Sequence, residues 1–298
     1  MHLRYTRRRL NHHRGHRGRS VVSWIILCTS GVLCAETHFA SIDGLRVHYE
    51  SYGAGREALV LIHGWTCDLT FWRLQAPVYE KRRSLLIDLP GHGRSDQPDL
   101  PYTLDLFGRA VEAVLRDAGV DRAVLTGHSM GTPVALTFLK LFPRKASGLV
   151  VVDYSPPTLH ELPGIAERYA VRGKEYRGPG HEAARGKAID SMFVAHTPEP
   201  LRVEIRAKML AAPQHVAASA LEGMGAVVSL LESKPRFDVP ALVILAKRPG
   251  RGGREYEAYL RGLFPQLSYQ EWEGAGHFLM MEQPDRFNRV LQEWLQKR

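Results

Sequence analysis

The sequence predicts an α/β protein with a doubly wound, mostly parallel sheet and a helical cap inserted between two sheet strands. Continuous apolar runs that stop at Gly or Pro alternate with segments of helical periodicity, a pattern typical of a buried parallel sheet. Residues 157–236 break this alternation, because they contain helix-like segments and no strand-like run. We expect this insertion to cover the carboxyl edge of the sheet, where open α/β sheets bind ligands.

Seven segments are predicted to form strands. The first of them alternates between apolar and polar residues, whereas the others are largely apolar, as central strands require. The predicted strands are residues 45–52, 58–62, 85–89, 123–126, 149–152, 241–246 and 267–272. Residues 36–156 and 237–298 are thus predicted to form the core domain, and residues 157–236 the cap.

Helical periodicity is clearest between the strands and at the C-terminus. Residues 106–118 carry one apolar stripe, with Thr103 placed to cap the start and Gly119 to end the helix. Pro284 fits a first helical turn, and residues 287–295 then form one apolar face. Within the cap, the helix-like segments are residues 201–212 and 216–231.

Positive charge is concentrated at the N-terminus. The formal net charge is +9, but residues 1–20 contain seven arginines and no acidic residue. The rest of the chain is therefore nearly neutral, which gives no support to a nucleic-acid partner. An uncharged stretch over residues 20–35 follows, with an apolar core of the length found in secretory signal peptides.

Residues 1–35 are therefore predicted to be a basic leader that directs export to the periplasm or the exterior. The apolar segment is shorter than the roughly 20 residues that span a bilayer, so we expect no stable membrane partner beyond an uncleaved leader. The alternative is a translation start further along the chain, which would leave the protein in the cytoplasm. Cleavage would leave Cys67 alone in the body, and one thiol cannot form an internal disulfide.

Ser129 is the predicted nucleophile. Residues 127–131 read Gly-His-Ser-Met-Gly and fit the G-x-S-x-G pattern, between an apolar strand and a helix-like run. The serine of this pattern stands on a tight turn that side chains two positions away would obstruct. The same turn directs the Met130 N–H toward the site, where it can stabilise an oxyanion.

His277 is the predicted general base. It ends the segment Gly-Ala-Gly-His after the last strand, so it should lie at the edge of the sheet where it can take the Ser129 proton. The loop His63-Gly64-Trp65 follows the strand of residues 58–62. We expect its Trp65 N–H to be the second oxyanion donor, and His63 to be structural.

Four motifs together resemble the α/β-hydrolase superfamily. They are HGW (63–65), DLPGHGRSD (88–96), GHSMG (127–131) and GAGH (274–277). The likeness is greatest to capped serine esterases and cofactor-free haloperoxidases, and it covers residues 40–298 apart from the cap. It implies the α/β-hydrolase fold and hydrolase chemistry. Haloalkane dehalogenases and epoxide hydrolases share this fold but use an aspartate nucleophile, so Ser129 argues against both.

The sequence departs from the family at the third catalytic residue. The family usually places an acid just after the strand that here spans residues 241–246, but no carboxylate follows until Glu255. Some members take the acid from the end of the preceding strand, which is Asp153 here. Asp153 is thus our first candidate to orient His277 and Glu255 the second, with a triad lacking its acid as the remaining alternative.

These observations predict a serine hydrolase that cleaves a small-molecule carboxylic ester. No metal-ligand spacing and no phosphate or dinucleotide fingerprint occurs, so no cofactor and no metal are expected; the oligomeric state is left open. The same triad is also suited to perhydrolysis or to cleavage of a C–C or amide bond, and a non-catalytic binding protein on this fold is a further alternative. The basic residues Lys247, Arg248, Arg251 and Arg254 indicate either a solvated loop or attraction of anionic substrates.

Overall fold

An eight-stranded sheet forms the centre of the protein in a computed structural model that describes residues 35–158, 160–248 and 252–298. The strand order is β1-β2-β4-β3-β5-β6-β7-β8; β2 runs antiparallel to β1 and β4, and the remaining pairs are parallel. The predicted mostly parallel sheet is therefore confirmed. The strands are β1 (Glu36–Ile42), β2 (Leu45–Tyr52), β3 (Glu57–Ile62), β4 (Ser84–Ile87), β5 (Arg122–His128), β6 (Ala146–Val152), β7 (Ala241–Ala246) and β8 (Leu267–Trp272).

Strand β1 is the one strand of this sheet that the sequence analysis did not predict. It lies at the sheet edge and pairs with β2 alone. Its buried side chains are only Ala40 and Ile42, so its apolar signal is weak. The turn Asp43-Gly44, with φ angles of 49° and 83°, is a hairpin signal that could have identified it.

Helices cover both the sheet and its carboxyl edge. Thr103 caps α2 as predicted, since its side chain accepts the Leu106 N–H. Five helices, α4 to α8, lie in the chain between β6 and β7. The helices are α1 (Ala76–Tyr79), α2 (Leu104–Asp117), α3 (Gly131–Leu141), α4 (Leu162–Arg177), α5 (His181–Asp190), α6 (Glu199–Ala211), α7 (Gln214–Gly223), α8 (Val227–Glu232), α9 (Arg254–Leu263), α10 (Leu279–Glu282) and α11 (Pro284–Lys297).

The strand order brings the predicted site residues to one edge of the sheet. Strands β5, β6, β7 and β8 are consecutive and parallel, so their carboxyl ends meet at that edge. Ser129 follows β5 and Asp153 follows β6, while His277 lies in the loop after β8. Residues far apart in sequence are thus brought together by the topology alone.

Two aspartates anchor the loop after β4, Asp88 at its start and Asp96 at its end. Buried Asp88 accepts the Leu69 N–H at 2.8 Å and the Arg94 N–H at 2.9 Å. Asp96 accepts the Arg46 N–H at 2.8 Å, which ties the end of the loop to β2. Both carboxylates therefore stabilise loop structure.

The predicted leader falls outside the described residues except for Ala35, so the expected export stays a prediction. Within the three described ranges, no helix combines the length and the apolar character that crossing a bilayer requires.

Candidate active site

Ser129 lies on a sharp turn between β5 and α3. Its φ is 50°, in the left-handed region that a residue with a side chain rarely adopts. Such strain costs about 1–3 kcal/mol and persists where the surrounding structure enforces it. The Ser129 N–H donates to the Val152 carbonyl oxygen at 3.0 Å, and the Ser129 carbonyl oxygen accepts the Thr132 N–H at 2.9 Å. These hydrogen bonds hold the serine at the sheet edge.

The glycines two positions either side of Ser129 are required by close packing. A Cβ atom on Gly127 would lie 2.4 Å from the Gly131 carbonyl oxygen. A Cβ atom on Gly131 would lie 2.3 Å from the Ile62 carbonyl oxygen. Both distances are far below van der Waals contact with backbone atoms, so neither site accepts a side chain unless the backbone moves.

Asp153 is in direct contact with His277. The imidazole Nδ1 lies 2.6 Å from the Asp153 carboxylate Oδ2, and the carboxylate is completely buried. An ionised carboxylate only accepts hydrogen bonds, so Nδ1 carries the proton and the neutral ring keeps its lone pair on Nε2. Asp153 itself has a φ of 43°, so the chain bends sharply at the end of β6 as it does at Ser129.

Two further donors hold the Asp153 carboxylate. The Ala246 N–H, at the end of β7, donates to Oδ1 at 2.9 Å. The Arg248 guanidinium donates to Oδ2 at 3.0 Å, so Arg248 and His277 share one oxygen atom. The basic residues of this loop do not by themselves predict the contact of Arg248 with Asp153. The available signal was its position just after β7, where the related hydrolases usually carry their acid.

Glu255, the second candidate acid, begins the first turn of α9 and lines the same cavity as His277. Within the part of the chain that the structure describes, the carboxylate bonded to the His277 ring is that of Asp153.

A cavity of about 630 Å³ contains Ser129, Asp153 and His277 in its lining. The helical segment between β6 and β7 contributes Ile165, Arg168, Tyr169 and Met224. The cavity is thus closed on one side by the sheet edge and on another by the segment predicted to be the cap. Across residues 35–158, 160–248 and 252–298, no three His, Cys, Asp or Glu side chains cluster so as to hold a metal ion.

The family model described as alpha/beta hydrolase family matches residues 59–290. The chain belongs to the alpha/beta hydrolase family. The match runs from within β3 to the middle of α11, and it therefore includes the turn at Ser129, the Asp153–His277 pair and the helices between β6 and β7.

The names of proteins that are similar to this hydrolase refer to several different activities. It is 29% identical to the 2-hydroxy-6-oxononadienedioate/2-hydroxy-6-oxononatrienedioate hydrolase of Burkholderia vietnamiensis, over 85% of this chain and 92% of that protein. The structure of a thermophilic esterase from Thermogutta terrifontis matches with a TM-score of 0.76 and 25% identity, over 88% of this chain and 99% of that one. Est816, described as an N-acyl homoserine lactone degrading enzyme, matches with a TM-score of 0.71 and 26% identity, over 86% and 99%.

In this hydrolase the loop after β3 runs beside Ser129. A Cβ atom on Gly64 would lie 3.2 Å from the Ser129 Cβ and 3.0 Å from the His128 Nδ1. Trp65 follows in the loop, and its indole N–H donates to the Ala217 carbonyl oxygen of α7 at 2.7 Å. Met130 directly follows Ser129 at the start of α3. The loop that carries Trp65 and the turn that carries Met130, the two predicted oxyanion residues, therefore meet at Gly64 and Ser129.

Two buried histidines of the hydrolase, His63 and His128, support these loops. His63 bonds through Nδ1 to the Gly64 carbonyl oxygen at 2.8 Å and accepts the Leu89 N–H at 3.0 Å, which is the structural role the sequence analysis expected. His128 donates through Nε2 to the His277 carbonyl oxygen at 2.9 Å. Burial, followed by the nearby His277, lowers the pKa of His128 to about 3. His128 therefore stays neutral while it anchors the backbone of His277.

His92 is expected to make the stability of this hydrolase fall in acid. Burial, followed by the neighbouring His63, lowers the pKa of His92 to about 3, whereas the ordinary value is about 6.5. Between these values the unfolded chain binds the extra proton, so the free energy of unfolding decreases as pH falls, by up to about 1.4 kcal/mol per pH unit. We expect His92→Asn to show a shallower slope between about pH 6 and pH 4 in urea unfolding experiments.

The exposed residue His196 provides the control, because His196→Asn removes the same group without changing a buried site. An unchanged slope in His92→Asn, or an equal change in His196→Asn, would contradict this role of His92.

Proposed function

We propose that this protein hydrolyses small-molecule carboxylic esters through an acyl-enzyme formed on Ser129. The observation that carries the proposal is the 2.6 Å hydrogen bond between His277 and buried Asp153 beside a cavity that Ser129 also lines. A serine on a strained turn and a histidine fixed by a carboxylate are the components that acyl transfer requires. The likeness to a thermophilic esterase supports the ester as substrate.

In the first step, His277 Nε2 takes the Ser129 Oγ proton while Oγ attacks the ester carbonyl carbon. The carbonyl electron pair moves to its oxygen, which the Trp65 and Met130 N–H groups bind. Collapse of this intermediate breaks the ester C–O bond, and the departing alcohol takes the proton from His277. Water then repeats the sequence on the acyl-enzyme, with His277 as base, and releases the carboxylic acid. Asp153 stabilises the imidazolium in both halves.

Cleavage of a C–C bond next to a carbonyl by the same residues is the second candidate function. The likeness to the dienedioate hydrolase, which extends over 92% of that protein, favours it. Parallel assays with p-nitrophenyl esters and with a vinylogous 1,5-diketone distinguish the two reactions, because an ester hydrolase turns over the former faster.

A fluorophosphonate probe tests the nucleophile directly. We expect rapid covalent labelling of the wild type and none of Ser129→Ala. Ser155→Ala is the matched control, because Ser155 lines the same cavity and its loss should leave the labelling in place. Labelling that persists in Ser129→Ala, or the absence of labelling in a folded wild type, would refute the acyl-enzyme mechanism.

A further inference from the structure

We propose that Arg248 is a positioning residue that holds the Asp153 carboxylate and restrains protonation of His277. Its catalytic consequence rests on the proposed function, whereas its effect on the imidazole can be measured without turnover. A cation thus lies in the loop after β7, the loop in which the family usually carries the triad acid.

Two hydrogen bonds to one oxygen atom, Asp153 Oδ2, support this role of Arg248. Asp153 Oδ2 accepts the His277 Nδ1–H at 2.6 Å and an Arg248 N–H at 3.0 Å, while Oδ1 accepts the Ala246 N–H at 2.9 Å. The Asp153 side chain is fully buried and the Arg248 side chain is 27% exposed. Donors on both oxygens fix the plane of the carboxylate, so Arg248 helps to keep Oδ2 directed at the imidazole.

The positive charge of Arg248 has a second effect, on the protonation of His277. An arginine side chain is always protonated, so its charge partly balances Asp153 before any imidazolium forms. A cation that bonds to the same oxygen atom also repels a proton arriving on His277. Both effects favour the neutral imidazole, which is the form that acts as a base.

Other charged and titratable groups around His277 also influence its protonation. His128, whose ring centre lies 4.8 Å from that of His277, stays neutral because burial lowers its pKa to about 3. Glu282 accepts the N–H of Gly276, the residue before His277. Further charged or titratable groups line the shared cavity: His160, Glu161, Arg168, Glu255, Tyr154, Tyr169 and Tyr256. Of these groups and Arg248, it is Arg248 that donates a hydrogen bond to Asp153 Oδ2, the oxygen atom that also accepts the His277 Nδ1–H.

Lys247 lies in the same loop but pairs with a different carboxylate, so it provides a comparison for Arg248. Its ammonium group pairs with Glu273 at 2.6 Å and its side chain is 53% exposed. Lys247→Gln therefore removes one positive charge from the same loop without touching the Asp153–His277 pair, and it serves as the matched control.

The test is an NMR titration of the His277 imidazole, assigned with His277→Gln. We expect Arg248→Gln, which keeps an N–H donor and loses the charge, to move the titration midpoint up by about one pH unit. Arg248→Met should give the same upward shift, while Arg248→Lys and Lys247→Gln should titrate like the wild type. A midpoint that is unchanged or lower in both neutral variants, or an equal upward shift in Lys247→Gln, would overturn the inference.

A double variant tests the catalytic consequence. In Asp153→Asn the guanidinium remains beside the imidazole without the carboxylate, so it opposes formation of the imidazolium. We expect Arg248→Gln to raise kcat/KM of Asp153→Asn by about tenfold, reflecting the removal of a nearby like charge. If kcat/KM of the double variant were instead lower than that of Asp153→Asn, Arg248 would act only as a structural support. Full activity of Ser129→Ala would instead refute the proposed function and leave the NMR result standing.

Discussion

Ser129→Ala is expected to reduce kcat for a p-nitrophenyl ester by about 10⁶-fold while the protein stays folded. Loss of a triad serine removes the acyl-enzyme route completely, and single losses of this kind cost about 2 × 10⁶ in turnover in a well-studied serine protease. The residual rate should not be zero. An oxyanion site and substrate binding by themselves accelerate hydrolysis by about 10³–10⁴ over water.

Stability measurements separate this loss from unfolding. Alanine is smaller than serine, and both residues carry a Cβ atom at the φ of 50° that position 129 adopts, so we expect little change in the urea midpoint. The matched Ser155→Ala variant should keep most of the activity, since it alters the cavity wall and leaves the nucleophile in place. Ester hydrolysis by Ser129→Ala at more than a hundredth of the wild-type rate would mean that another group is the nucleophile.

Asp153→Asn is expected to lower kcat by about 10⁴-fold, the cost of replacing the triad aspartate by asparagine. The buried carboxylate accepts the His277 Nδ1–H at 2.6 Å, and an amide in its place carries no charge to stabilise the imidazolium. The amide also presents its own N–H groups, which favours the wrong imidazole tautomer. Steady-state kinetics across pH 5–9 would measure the loss and show that no pH restores the rate.

Glu255→Gln is the companion variant that decides between the two candidate acids. Glu255 shares the cavity, so the variant removes a carboxylate of the same charge from the same site. We expect its kcat to remain within about threefold of the wild type, as for substitutions that leave a catalytic network intact. A large loss in Glu255→Gln together with a small one in Asp153→Asn would reverse the assignment and make the contact of Asp153 with His277 structural.

Local sequence patterns were sufficient to predict structural features that depend on a few neighbouring residues. The Gly127–Gly131 motif predicts the turn at Ser129 because each glycine meets backbone atoms at distances no side chain permits. The strand of residues 241–246 was predicted with its observed bounds, since a fully buried parallel strand is apolar throughout. Strand β1 was missed because an edge strand that buries only two of its side chains lacks that signal.

The sequence by itself determined the fold class, the helical insertion after β6 and the turn that presents Ser129. It also placed His277 in the loop after the last strand, because each of these features depends on residues close together in the chain. The tertiary structure decided which carboxylate meets the histidine. Asp153 and His277 are 124 positions apart, and they come together because β6, β7 and β8 are adjacent and parallel. It also decided that Arg248 faces Asp153, since the direction of a loop side chain depends on packing that no local pattern contains.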